Sequence, residues 1–233
     1  LRERRTLYDV AEPKPYHVWL QLLEARLRAT FRDFEAADAL LQRAAPHGRG
    51  DPWFWVEESR LREQQDRYPE ALMAAEHALA LEPTYRPAIE TTAHLLTLRN
   101  RDADALALLQ RGVQELQAGN LAQSLAILHT ELEQPAETLV ALDRATEWLP
   151  CANQAQRAWL AARRSDALRA LGRDSEAAEQ ARLVKSGFHD EIAARLGDSD
   201  RPRQRVHLRV NFVRQHHMTC APATLAALGD FWQ

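Results

Sequence analysis

Two cysteines, Cys151 and Cys220, are too few in 233 residues for a disulfide framework, and they offer no paired zinc spacing. A reducing, cytoplasmic setting is the expectation. Glycine is also sparse, with eight residues and no cluster, which excludes a phosphate-cradling loop. No apolar run reaches the roughly 18 residues of a spanning helix, and no signal-peptide pattern of charged, apolar and small-residue regions is present. The chain therefore reads as soluble. Neither charge sign dominates: 30 basic residues against 33 acidic ones leave a net −3, so no bulk field calls for nucleic acid or an anionic membrane. Lysine occurs only as Lys14 and Lys185. The chain opens on Leu1 and is read as a piece of something longer.

What the chain does contain is a period. Ala37, Ala71 and Ala105 are spaced by 34 residues, and the series continues to Thr138 and Ala177 with steps of 33 and 39. Seven positions later come Ala44, Ala78, Gly112, Ala145 and Val184; twelve positions earlier come Ala25, Ser59, Ala93, Ala126 and Ser165. All but Val184 are small, as helices that approach closely require. Pro83 and Pro150 fall where helices should stop, and Asp66 and Gly172 fall between paired helices. A repeat of this length predicts stacked helical hairpins, because one hairpin cannot bury its own apolar face. The surplus of the last step falls in residues 151–157, predicting a lengthened loop or helix start.

These residues resemble the tetratricopeptide repeat family, most closely in residues 51–83, where Trp55, Ser59, Tyr68, Ala71, Ala78 and Pro83 match its pattern. The resemblance implies an all-α solenoid of about five helical hairpins over residues 15–187, after an N-terminal extension (1–14). Glu24, Glu58, Arg28 and Arg62 stand where large apolar residues are usual, so the packing register is expected to be rotated slightly. The resemblance also implies that a protein or extended peptide lies in a concave groove lined by the first helix of each hairpin. Carried over by position, the groove candidates include Trp19, Leu22 and Arg26; Trp53, Val56 and Arg60; Pro87, Glu90 and His94; and Trp159, Ala162 and Asp166. Trp19, Trp53 and Trp159 share one position, and Arg26, Arg60 and His94 form a row suited to an acidic ligand. The alternative is plain packing, with tryptophans on the preceding hairpin and arginine stems over apolar surface.

After Gly187 the period fails. Residues 188–197 are expected to form a capping helix and 198–204 a linker. Val206 to Phe212 alternates apolar and polar residues and predicts a strand. Cys220 is predicted to open a helix, with Pro222 tolerated in its first turn; a thiol there feels the positive end of the dipole. Residues 205–233 resemble the opening of a papain-like cysteine peptidase, nearest the family that removes double-glycine leaders from bacteriocins. That resemblance implies a short strand-plus-helix fragment of an α+β domain, with Cys220 as nucleophile and Gln215 as oxyanion-hole side chain. No histidine follows His217, so the base and its orienting Asp or Asn are missing and this chain is expected to be inactive. His216 and His217 lack a second ligand pair, so no metal is expected, nor any cofactor. A purely structural alternative is self-association through residues 205–233, which carry Phe212, Leu225, Leu228, Phe231 and Trp232.

Overall fold

The computed structural model describes residues 15–198 and 220–232. They form twelve helices: α1 (Pro15–Thr30), α2 (Phe34–Gly48), α3 (Pro52–Gln64), α4 (Tyr68–Leu81), α5 (Arg86–Leu98), α6 (Asp102–Leu116), α7 (Gly119–Glu131), α8 (Pro135–Glu147), α9 (Gln154–Ala170), α10 (Asp174–Leu183), α11 (Gly187–Gly197) and α12 (Cys220–Phe231). There is no strand among the described residues; the strand expected at 206–212 lies outside them. The helices divide between two units, the first ending at Thr97 but regaining Asp102–Leu116, the second holding α7 to α12.

The period is the core. Ala37, Ala71, Ala105 and Ala177 are fully buried and Thr138 nearly so; Ala44, Ala78 and Ala145 are equally inaccessible. In the first unit Val18, Leu22, Ala25 and Ala29 of α1 pack with Ala37, Leu40, Leu41 and Ala44 of α2 and with Phe54 and Leu61 of α3. Val56, Ala78 and Ala88 join α3, α4 and α5. Leu22 and Val56, expected to line the groove, are core residues at 1% and 0% exposure. In α1 Trp19 and Arg26 thus face outward while Leu22, between them, faces inward.

Each hairpin turns on one residue with positive φ: Arg32 (60°), Asp66 (59°), Asn100 (56°), Glu133 (55°) and Gly172 (75°). Every one stands five residues before its repeat alanine or threonine, so the turns share the repeat's own steps. The following amide reaches back over the turn to the last helical carbonyls, as in Arg67 N to Arg62 O (2.8 Å), Gln134 N to His129 O (2.9 Å) and Arg173 N to Leu168 O (2.9 Å). This is the left-handed C-terminal cap that glycine ordinarily occupies, yet only Gly172 is glycine. Relief of the Cβ strain at the exposed Glu133 is therefore expected to outweigh glycine's extra chain entropy: Glu133→Gly should stabilise by about 0.5–1 kcal/mol, read as a raised midpoint in urea.

In the second unit α9 is tied to α10 by Ser165 Oγ donating to Ala177 O at 2.8 Å. Asn153 and Gln156 form a reciprocal capping box that starts α9. The surplus residues of the last repeat thus lengthen a helix as well as a loop: α9 has 17 residues where its partner α10 has 10. Ala193 of α11 packs on Ala178 and Ala181 of α10, with Ile192 and Leu196 alongside.

Candidate functional site

The candidate groove residues of the first unit meet on a residue that the repeat pattern did not single out. Asp51 caps α3, its Oδ1 accepting from Trp53 N at 2.9 Å, while its Oδ2 lies 3.4 Å from Trp19 Nε1 on α1. The two indoles sit edge to face, with ring centroids 6.1 Å apart. One turn into α3, Glu57 is 5% exposed. Its Oε1 accepts from Trp53 Nε1 (3.0 Å), Arg60 Nη1 (2.8 Å) and Arg26 Nη1 (3.4 Å). Glu57 Oε2 is buried without a hydrogen-bond partner. Beside it lies a void of about 10 Å³ among α1, α2 and α3, the space of about one water.

This geometry makes Glu57 the anchor of the face. A carboxylate so deeply buried is tolerated only with donors and opposite charge around it. Two guanidiniums supply the charge while their side chains stay 46% and 38% exposed. The arginine row expected to face an acidic ligand is therefore partly neutralised by the protein itself: two positive charges share one buried negative charge. Glu57 was within reach of sequence reasoning, since it stands four residues after Trp53 and three before Arg60, on one helical face. Its equivalents one repeat away are Leu23 and Thr91, so the period concealed it.

On α5, His94 Nε2 meets Glu63 Oε1 of α3 at 2.7 Å. Glu90 lies 3.8 Å from Arg86 Nε. Burial pushes the Glu90 carboxyl above its ordinary pKa, and the charges of Arg86 and Arg60 pull the other way. Trp159 belongs to the second unit, where Arg163 Cζ stands 5.8 Å over its ring. Trp19, Trp53, Arg26 and Arg60 are thus brought together by direct contact and through Glu57, whereas His94 joins a different acid. Gln215 lies outside the described residues, and Cys220 is the first residue of α12.

A second exposed face lies on α1. Leu20, Leu23 and Leu27 are 40%, 41% and 57% exposed, while their counterparts one repeat on, Phe54, Glu57 and Leu61, are buried at 1%, 5% and 4%. The difference is positional. The α3 residues are covered by the preceding α1/α2 hairpin, and among the described residues no hairpin precedes α1. Among the described residues no helix is long and apolar enough to cross a membrane.

Paired helices, small buried contact positions and left-handed turns at a constant offset define the fold as a tetratricopeptide-repeat solenoid. No protein-family model matches the chain, and no curated protein matches it in sequence. Solved structures do match. One described as the functional characterization of Pseudomonas aeruginosa pilF is 13% identical at a TM-score of 0.65, covering 78% of this chain and 83% of its own. MamA of Desulfovibrio magneticus RS-1 is 17% identical at a TM-score of 0.57, with 78% and 98% covered. YrrB, described as a tetratricopeptide-repeat protein with an unusual peptide-binding site, is 16% identical at a TM-score of 0.54, with 75% and 89% covered. At these identities the likeness is one of fold.

Proposed function

We propose that the chain is a protein- or peptide-binding repeat scaffold whose first unit takes an extended peptide over the face carrying Trp19, Trp53, Arg26 and Arg60. The observation that carries this is the shared anchoring of Trp53, Arg26 and Arg60 on Glu57, which fixes an aromatic shelf and two cationic forks before any ligand arrives. Pre-organised tryptophan and arginine of this kind are what binding hot spots favour. The chemistry suits a peptide that lays an apolar side chain on the indoles and sets a carboxylate beside the guanidiniums. YrrB lends support by analogy of fold. The sparse cysteines favour a cytoplasmic setting.

Fluorescence anisotropy with a panel of labelled acidic and neutral peptides tests the reading. Trp19 is 51% exposed, so Trp19→Ala should leave the fold intact while weakening the best acidic binder about tenfold or more. Unchanged affinity, or no binder in the panel, would remove this face as the site.

Self-association is the second reading, favoured by the exposed leucines of α1, by Leu225 and Leu228 of α12 and by Trp232 just after it, exposed at 69%, 46% and 80%. Light scattering on the whole chain and on a Leu23→Glu/Leu27→Glu variant decides it; a monomer in both cases ends it for α1. The peptidase reading of residues 205–233 rests on the resemblance and on α12 opening at Cys220. A thiol-reactive probe that labels a longer form of the protein carrying the downstream residues, but not its Cys220→Ser variant, would support it.

A further inference from the structure

The last repeat carries a cavity that the peptide-binding face does not use. It has a volume of about 520 Å³ and lies between α8, α9 and α10, within the range of small-molecule sites. Its origin is the unequal hairpin. With Ser165 bonded to Ala177 O, antiparallel pairing runs out where α10 ends at Leu183, opposite Trp159. The first turn of α9, from Gln154 to Ala158, then extends past its partner, and the space α10 would have filled stays open. The backbone turns away at Lys185, whose φ of 58° is left-handed. The 39-residue step between Thr138 and Ala177 lengthens α9, and the early end of α10 leaves the space beside it open.

Its lining separates by chemistry. Leu160, Ala161, Leu183 and Val184 give an apolar floor, while Arg157, Arg164 and Lys185 supply three cations and no carboxylate lines the space. Arg164 is held by Asp143 of α8 and by Thr146 Oγ1 at 3.1 Å. Arg157 donates to the Ala152 carbonyl and, like Lys185, is exposed. After the Asp143 pair is counted, two positive charges remain beside an apolar floor. The cavity lies off the row of Trp159, Ala162 and Asp166, because α9 presents residues 157, 158, 161 and 164 to it.

We propose that this cavity is a binding site for a small amphiphilic anion: a carboxylate or phosphate head at Arg157 and Lys185, with a short aliphatic stem on the leucine and valine floor. Guanidinium and ammonium together recognise either head, and the floor rewards apolar area. The site is independent of the peptide-binding face in the first unit.

Titration of the full chain with octanoate, octyl phosphate and 1-octanol, followed by amide shifts in nuclear magnetic resonance, tests it. Saturable shifts are expected in residues 154–164 and 180–185, with octanol about tenfold or more weaker than the better anion, as loss of a charge-assisted hydrogen bond implies. The ratio of octanoate to octyl phosphate identifies the head. Lys185→Gln should erase much of the preference for anions, and Ala158→Phe, which puts a ring on the lining, should weaken all three probes while circular dichroism stays helical. No saturable shift at these residues, octanol binding as well as the anions, or full anion affinity in a folded Ala158→Phe variant would each overturn the proposal.

Discussion

Replacing Arg26 and Arg60 together by alanine is expected to destabilise the protein by about 3 kcal/mol, far more than two half-exposed side chains ordinarily cost. The reason lies in Glu57. Its side chain is 3% exposed, and its Oε1 is held by both guanidiniums and the Trp53 indole. Without the arginines a buried carboxylate keeps one neutral donor and no opposite charge, and its desolvation is no longer offset. The reverse change is expected to be mild. Glu57→Gln leaves two guanidiniums that are already substantially hydrated, and an amide oxygen can still accept from Trp53. Urea denaturation followed by tryptophan fluorescence should show this asymmetry; equal losses for the two variants would mean that Glu57 is not the anchor. Loss of peptide binding in the double arginine variant therefore cannot be read as loss of contact. A triple replacement, Arg26→Met/Glu57→Leu/Arg60→Met, removes the charges without stranding one, and is expected to be much closer to the parent in stability while still losing its acidic peptides.

Phe54→Ala is expected to cost about 4 kcal/mol. Phe54 is 1% exposed and is among the largest fully buried side chains of the first unit. It fills the space above Gly48, where a Cβ would come within 2.8 Å of Phe54 Cδ2 and 3.1 Å of Val18 Cγ1. Ring and glycine are complementary, so deletion of the ring leaves a void that three helices cannot close without moving. The urea midpoint should fall with an unchanged slope. Gly48→Ala tests the same fit from the other side: it is expected to destabilise the parent by about 1–3 kcal/mol, as overpacking does, but to be better tolerated in the Phe54→Ala background. Additive losses would show that ring and glycine do not share one packing site.

Helices and turns were legible because they follow local rules. Alanine at a fixed interval, proline at the unit ends and an amphipathic pattern between them are written in neighbouring residues, and the structure buries the repeat positions accordingly. Of the left-handed turn residues, Asp66 and Gly172 stand out in the sequence, as breaks between paired helices. Arg32, Asn100 and Glu133 adopt the same conformation because the hairpin geometry requires it, although arginine and glutamate carry no propensity for it. A helix, α11, spans Gly187–Gly197 where one is expected from the sequence over 188–197. The proposed catalytic pair could not be placed together, since Gln215 falls outside the described residues.

The candidate site divides along the same line. Which residues carry aromatic area and charge was fixed by composition and period: Trp19, Trp53, Arg26 and Arg60 recur at equivalent positions whatever the packing. Their meeting on Glu57, the inward turn of Leu22 and Val56, and the cavity left by a short α10 beside a long α9 were decided only by tertiary structure. Periodicity specifies which residues share a face of one helix, but burial and pairing depend on the rotation and length of the helix packed against it.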